Sequence, residues 1–238
     1  IVNLSGYVDH SKKKTIIQTH LNGCKNLIKN FEIHRPKKFL QIGSSIEYGK
    51  NKSPQKEKSL YKKDTKSVYG NAKLSASLFL IRFFKKSNFP IVILRLYLVY
   101  GPKQDENRII PFVIKQSFKG NRFNCSPGKQ FRDFTYIDDV VQAIYKSLIS
   151  EKTNGELINI GFGKPIQIKS LINTIVKKIG KGKPIFSKLN LRADEMKKLY
   201  PNISKARRIL NWTPKISLKK GLSKTIRYYK YYEKLFKF

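Results

Sequence analysis

Acidic residues are scarce in this chain: 15 Asp and Glu stand against 50 Lys and Arg, which gives a formal net charge of +35 over 238 residues. A field of this sign attracts nucleic acids, anionic membranes and small substrates that carry a diphosphate. The basic residues are spread from Lys12 to Lys237 and are not grouped in one segment. We therefore interpret most of them as a solvated surface, and we expect no specific nucleic-acid or membrane partner.

Cysteine, histidine and long apolar runs are also scarce. The two cysteines, Cys24 and Cys125, are too few for a disulfide framework, and neither they nor the three histidines have metal-ligand spacing. No apolar stretch approaches the ~20 residues that cross a bilayer, and no secretory signal is recognisable. We therefore expect reduced cysteines, no metal site and a cytoplasmic location.

Apolar periodicity predicts a strand–helix alternation in the first hundred residues. The predicted order is a strand at 1–6, a helix at 14–31, a strand at 39–42, a helix at 68–85 and a strand at 91–96. The last strand is an apolar run interrupted only by Arg95, which is typical of a strand covered on both faces. The pattern predicts an α/β fold with a doubly wound parallel sheet.

A tyrosine and a lysine lie four residues apart in the second predicted helix, at Tyr69 and Lys73, and therefore share one helix face. A nearby ammonium favours the phenolate of a tyrosine, whose ordinary pKa is about 10. Ser44 ends the preceding strand, where its hydroxyl could reach the same point. Such a pair also arises by chance on a solvated helix face, so its context decides between the two interpretations.

The context is a series of motifs in a fixed order. Gly-Ser-Ser-Ile-Glu-Tyr-Gly at 43–49 is followed by Tyr-Gly-Asn-Ala-Lys at 69–73, and further motifs lie at 131–140, 158–161 and 210–214. This order resembles the extended short-chain dehydrogenase/reductases that act on nucleotide sugars, the NAD-dependent epimerase/dehydratase family. The likeness covers nearly the whole chain.

The resemblance implies a catalytic triad of Ser44, Tyr69 and Lys73, in which Lys73 also holds the nicotinamide ribose of NAD or NADP and lowers the pKa of Tyr69. It places Leu4 and Ser5, together with Tyr97, beside the same cofactor. It further implies a homodimer.

The resemblance also implies a nucleotide-diphosphate sugar as substrate. Ser45 follows the triad hydroxyl and is expected to contact the sugar. Arg132 and Arg192 match arginines that grip the phosphates, a task for which a planar guanidinium is suited. The alternative for each arginine is a surface ion pair.

The chain contains no glycine-rich turn of the kind that binds a dinucleotide pyrophosphate, and the glycines at 43 and at 161–163 lack its spacing. We therefore expect a partial Rossmann fold whose first strand–helix units are missing from this sequence. Residues 1–103 are predicted to form the later part of the NAD(P)-binding domain with the triad. Residues 104–238 are predicted to form mainly a smaller substrate-binding region, interleaved with the Rossmann sheet.

Two positions bear on the reaction. The family's 4,6-dehydratases carry Asp-Glu after the triad hydroxyl, whereas this chain has Ser45 and Ile46, and an isoleucine cannot abstract a proton. Strand alternation turns the neighbouring Glu47 to the other face. The sequence thus favours a 4-epimerase or a 4-ketoreductase similar to CDP-abequose synthases. The alternatives are a 4,6-dehydratase and a noncatalytic ligand-binding or scaffold protein, with nucleic-acid binding less favoured.

Two other details complete these expectations. Asp138 precedes an apolar run to Ile149 and is predicted to cap the N-terminus of that helix. His20 and Leu98 stand where the resembled family commonly has asparagine, and Leu98 removes a group that often contacts substrate.

Overall fold

A computed structural model describes residues 1–7, 12–58, 67–191 and 195–236. Its strands, in chain order, are β1 Val2–Asn3, β2 Phe39–Ser44, β3 Ile91–Leu96, β4 Leu98–Tyr100, β5 Arg122–Asn124, β6 Phe131–Arg132, β7 Phe134–Tyr136, β8 Glu156–Ile160, β9 Ile166–Gln167, β10 Lys183–Ile185 and β11 Lys198–Leu199. The helices are α1 Lys13–Ile17, α2 Gly23–Asn30, α3 Val68–Ser87, α4 Ile109–Phe118, α5 Ile137–Ile149, α6 Ile168–Ile179, α7 Ser204–Leu210 and α8 Leu218–Phe236.

The central sheet has four parallel strands in the order β1–β2–β3–β8. Its register pairs Ser44 at the end of β2 with Leu96 at the end of β3. Leu96 in turn pairs with Ile160 at the end of β8, so the carboxyl ends of three strands lie at one edge. The predicted α/β fold with a parallel sheet is confirmed.

Smaller sheets surround this edge. Strand β4 pairs with β7 in parallel, β5 pairs with β10, and β6 lies between β11 and β9. No helix in the described ranges has the length and apolar character of a bilayer-spanning segment.

Apolar side chains cover both faces of the sheet, as the composition of β3 predicted. On one face Leu40, Val92 and Leu94 pack with Trp212 and with residues of α5 and α7. On the other face Ile91 and Ile93 pack with α2 and α3. A further apolar cluster joins α4, α6 and α8 and includes Ile114, Leu171 and Leu222.

The helix predicted over 14–31 is interrupted by one π-helical stretch, Gln18–Asn22, between α1 and α2. Such a stretch inserts an extra residue in the turn and often lies near a functional site. It carries His20, whose side chain is buried. The helix around it begins at Lys13 and ends at Asn30, within one residue of the predicted bounds.

The predicted role of Asp138 as a helix cap is wrong. Helix α5 begins one residue earlier, after Tyr136, without a side-chain cap, and Asp138 lies in its first turn paired with Lys224 at 3.2 Å. The buried neighbour Asp139 instead accepts hydrogen bonds from the backbone amides of Lys215 and Ile216, each at 2.9 Å. Asp139 therefore ties the segment before α8 to α5.

We expect Asp139→Asn to lower the free energy of unfolding by about 1–3 kcal/mol, because an amide can accept from only one of the two backbone donors and leaves the other buried without a partner. Asp138→Asn is the matched control and should change stability by less than about 0.5 kcal/mol, since the ion pair of Asp138 is exposed. Urea unfolding followed by circular dichroism measures both. Equal losses in the two variants would contradict this assignment.

Candidate active site

A cavity of about 580 Å³ opens at the carboxyl edge of the central sheet, the place where doubly wound sheets bind ligands. Its walls come from the end of β2, the start of α3, the segment 96–100, the loop before α4, and β6. The polar and aromatic side chains on these walls include Ser44, Tyr69, Lys73, Tyr97, Arg108 and Arg132. The structure thus brings the three predicted triad residues to one cavity.

Ser44 is held at the end of β2 by a capping box. Its backbone is extended, its hydroxyl oxygen accepts from the amide of Ile46 at 3.4 Å, and the carboxylate of Glu47 accepts from the Ser44 amide at 2.7 Å. The short 3₁₀ helix that follows, Ser45–Tyr48, turns the chain away from the cavity. The Ser44 hydroxyl is left beside the phenol of Tyr69, to which it is hydrogen-bonded.

Tyr69 and Lys73 lie in the first turns of α3, which is capped by the hydroxyl of Ser67 accepting from the amide of Gly70 at 2.9 Å. The Lys73 side chain is buried, and its ammonium donates to the carbonyl of Ile42 at 2.9 Å. Burial lowers the pKa of Lys73, while the nearby Glu47 and Cys24 act to raise it. The lysine therefore links α3 to β2.

The pKa of Tyr69 is raised above its ordinary value, mainly by burial. The hydrogen bond from Ser44 and the charge of Arg108 act in the opposite direction, and Glu47 adds to the rise. The net pKa is raised because the desolvation of the phenol outweighs Ser44 and Arg108, and the predicted lowering by Lys73 stays a prediction. The phenol is protonated at neutral pH and is ready to donate.

The residues predicted beside the cofactor are divided in space. Tyr97 is buried on the cavity wall, and its hydroxyl donates to Gln55 Oε1 at 2.8 Å. Leu4 is 67% exposed, and Ser5, whose hydroxyl donates to Asn3 Oδ1, is also exposed; neither lines this cavity. Their cofactor role stays a prediction for the surface beyond the end of β1.

The predicted substrate-binding residues are also separated. Arg132 lines the cavity, where its guanidinium is paired with Glu195 and donates to the carbonyls of Phe131 and Met196. Burial lowers the pKa of Arg132, whereas the charge and hydrogen bond of Glu195 act to raise it. Ser45 is buried outside the cavity walls, and Arg192 lies outside the described residues.

Sequence reasoning missed two groups that act on Tyr69 or pack against it. Arg108, immediately before α4, lines the cavity and acts electrostatically on Tyr69. The buried ring of His20 lies edge-on to the ring of Tyr69, with centroids 5.0 Å apart and planes at 81°. A cation directly before a predicted helix was the available signal for Arg108. Nothing in the linear sequence relates His20 to Tyr69.

The spacing of the glycines at 161 and 163 predicted that they form no phosphate loop, and the hydrogen bonds of this segment agree. The amides of Phe162 and Gly163 donate to the buried carboxylate of Asp133 at 2.7 and 2.6 Å, so an acidic side chain of the protein occupies these donors. Within the described ranges, no cluster of three or more His, Cys, Asp or Glu side chains is arranged to hold a metal ion.

The comparison with known families agrees with this architecture. The sequence model described as "NAD dependent epimerase/dehydratase family" matches residues 1–161, and the chain belongs to this family.

Individual relatives carry related activities. The chain is 31% identical over 216 residues to a UDP-glucuronate 4-epimerase of Thermodesulfobacterium geofontis, covering 90% of this chain and 66% of the relative. It is 35% identical over 135 residues to the CDP-abequose synthase of Salmonella muenchen, covering 56% and 46%.

A solved structure matches over nearly the whole chain. The UDP-glucuronic acid 4-epimerase of Bacillus cereus, in complex with UDP-glucuronic acid and NAD, superimposes with a TM-score of 0.87 at 31% identity, covering 96% of this chain and 74% of that one. The chain spans about two thirds of the length of the Thermodesulfobacterium geofontis relative.

We expect Ser44→Ala to raise the pKa of Tyr69 by roughly half a pH unit or more, because the lost hydrogen bond stabilises the phenolate. The measurement is a ¹⁹F NMR titration of 3-fluorotyrosine placed at position 69, compared between otherwise identical labelled proteins. Ser45→Ala is the control, since Ser45 is buried outside the cavity, and it should leave the titration unchanged. A titration that Ser44→Ala does not move would contradict the hydrogen bond.

Proposed function

We propose that this chain forms the catalytic part of an NAD- or NADP-dependent nucleotide-sugar 4-epimerase or 4-ketoreductase. The observation that carries the proposal is the convergence of Ser44, Tyr69 and Lys73 on one cavity at the carboxyl edge of a parallel sheet. A hydroxyl, a phenol and a buried ammonium on one wall fit the reactive end of a nicotinamide cofactor and the sugar carbon beside it.

The roles of the side chains follow from their contacts. Bound nicotinamide supplies the acceptor or donor of the hydride at C4 of the sugar. During reduction Tyr69, protonated at neutral pH, donates its proton to the oxygen at C4 and becomes a phenolate; during oxidation the phenolate takes the proton of the C4 hydroxyl and becomes a phenol again. Ser44, already hydrogen-bonded to the phenol, orients it, and Lys73 provides the positive charge that stabilises the phenolate when it forms.

The position of the acidic residues supports hydride chemistry over water elimination. Ser45 and Ile46 carry no carboxylate, and Glu47 is bound away from the cavity by the Ser44 amide, Ser77 and Arg95. Among the described residues, the one carboxylate on the cavity wall is Glu195, which is paired with Arg132. A 4,6-dehydratase needs an acid and a base beside the sugar in addition to the tyrosine. Over the described ranges, the cavity wall offers no carboxylate for these roles other than the paired Glu195.

The charge of the cavity supports an anionic substrate. Lys73, Arg108 and Arg132 line it against a single acidic partner among the described residues. We propose that the substrate is a nucleoside-diphosphate hexose whose phosphates bind Arg132. The phosphate then replaces Glu195 as the partner of the guanidinium. A charge-assisted bidentate contact of this kind is stronger than the hydrogen bonds of neutral groups.

We expect Tyr69→Phe to lower turnover of the full-length protein about 10²–10⁴-fold, because the proton transfer loses its donor. The affinity for the nucleotide sugar should stay within about twofold, since the ring still fills its place. The measurement is NMR analysis of the products from UDP-, dTDP- and CDP-hexoses and their 4-keto derivatives with NAD(P) or NAD(P)H.

The matched control is Tyr145→Phe, an exposed tyrosine on α5 that should change nothing. Undiminished turnover by Tyr69→Phe would exclude the proposed mechanism. A 4-keto-6-deoxy product would identify a dehydratase, and tight binding without turnover by the unsubstituted protein would identify a noncatalytic relative.

We expect Arg132→Met to weaken binding of a nucleoside diphosphate about tenfold or more, because one charged hydrogen bond contributes roughly 1.5–3 kcal/mol. Arg207→Met, at an exposed position of α7, is the control for the loss of one positive charge. Isothermal titration calorimetry of the full-length protein with UDP, dTDP and CDP measures both. Equal affinity in the two variants would place the phosphates elsewhere.

A further inference from the structure

The carboxylate of Glu47 joins three elements around the catalytic site. Its side chain is completely buried; Oε1 accepts from the backbone amide of Ser44 at 2.7 Å, and Oε2 accepts from the Ser77 hydroxyl at 2.7 Å and from Arg95 Nε at 2.8 Å. These partners belong to the end of β2, to α3 and to β3. One side chain therefore connects the strand that presents the serine with the helix that presents the tyrosine.

The position of Ser77 on α3 gives this connection its meaning. Ser77 follows Lys73 by four residues and Tyr69 by eight, so the three side chains share one face of the helix. Glu47 thus holds the same face of α3 that carries the acid/base tyrosine. At its other oxygen it holds the residue whose hydroxyl bonds that tyrosine.

The surroundings are shaped to admit the carboxylate. A Cβ added to Gly43 would lie 2.7 Å from Glu47 Oε1 and 3.2 Å from Arg95 Cγ, so only glycine leaves room at this point of β2. Arg95 is itself fully buried, and its guanidinium lies 4.4 Å from the centre of the Tyr48 ring.

A contribution to stability is a poor explanation for the buried ion pair of Glu47 and Arg95. Desolvating two charges costs several kcal/mol per ion, and well-packed apolar residues are often at least as stable in their place. A buried carboxylate that is bound at both oxygens is instead suited to hold its partners in one geometry.

We propose that Glu47 is the positioning residue of this site: it holds Ser44 and α3 in one register, and its negative charge favours the protonated forms of the Tyr69 phenol and the Lys73 ammonium. The proposal rests on the proposed function in its assignment of Tyr69 as the acid/base. Glu47 does not line the cavity and acts through these neighbours.

The electrostatic part follows from the charges that surround both groups. Burial raises the pKa of Tyr69, and Glu47 raises it further, whereas Ser44 and Arg108 lower it. Burial lowers the pKa of Lys73, and Glu47 raises it, with Cys24 acting in the same direction.

Removing the charge of Glu47 should therefore lower the pKa of both groups. The Arg95 guanidinium, then without its carboxylate, adds to the fall.

The test is Glu47→Gln in the protein labelled with 3-fluorotyrosine at position 69. We expect the ¹⁹F titration of Tyr69 to move down by about half a pH unit or more. In the full-length protein we expect kcat to fall about tenfold or more while KM for the nucleotide sugar stays within about twofold, because Glu47 touches no part of the cavity.

Two further variants separate position, charge and stability. Ser77→Ala keeps the charge of Glu47 and removes its bond to α3, so kcat should fall while the Tyr69 titration stays in place. Asp139→Asn removes another buried carboxylate that binds two backbone amides, so it should lose stability and leave both readouts unchanged. Ser77→Ala tests the positional part even if Glu47→Gln fails to fold.

An unmoved titration in Glu47→Gln, or an equal shift in Asp139→Asn, would reduce Glu47 to an ordinary structural residue. Normal kcat in Ser77→Ala would overturn the positional part. The titration does not depend on turnover. If Glu47→Gln shifts the Tyr69 titration while the unsubstituted full-length protein shows no activity, the influence of Glu47 on Tyr69 stands and the proposed function is rejected.

Discussion

The parallel pairing of β2 with β3 is the constraint on which the rest of this structure depends. Its register brings Ser44 and Leu96 side by side at the end of their strands, and β8 extends the same edge with Ile160. The backbone then has to turn over this edge, which creates the cavity. Apolar packing on both faces holds the register, since slipping β2 by one residue would exchange the side chains of its two buried faces.

Burial is the dominant influence on the chemistry of the site. It raises the pKa of Tyr69 and lowers that of Lys73, and hydrogen bonds and charges contribute less to both shifts. A tyrosine in this state is protonated at neutral pH. The polar groups around it act mainly through geometry, since each is held by specific partners such as the Ile42 carbonyl on Lys73.

Local signals predicted the elements and the triad, but not the partners of each side chain. Periodicity located β3 at 91–96, and it predicted the helix at 68–85 that the structure shows as α3. Motif order brought Ser44, Tyr69 and Lys73 together. The edge-on contact of His20 with Tyr69 and the pairing of Arg132 with Glu195 join residues 49 and 63 positions apart, and no local pattern encodes such distances.

The sequence by itself determined the fold class and the three polar residues, Ser44, Tyr69 and Lys73, that meet at one edge of the sheet, because hydrophobic periodicity and short motifs act over a few residues. Only the tertiary structure decided the direction in which the pKa of Tyr69 moves, the burial of Asp139 in place of a cap by Asp138, and the enclosure of Glu47 between two strands and a helix. Desolvation and buried hydrogen bonds depend on which distant segments exclude water from a group, and that is settled only when the whole chain has packed.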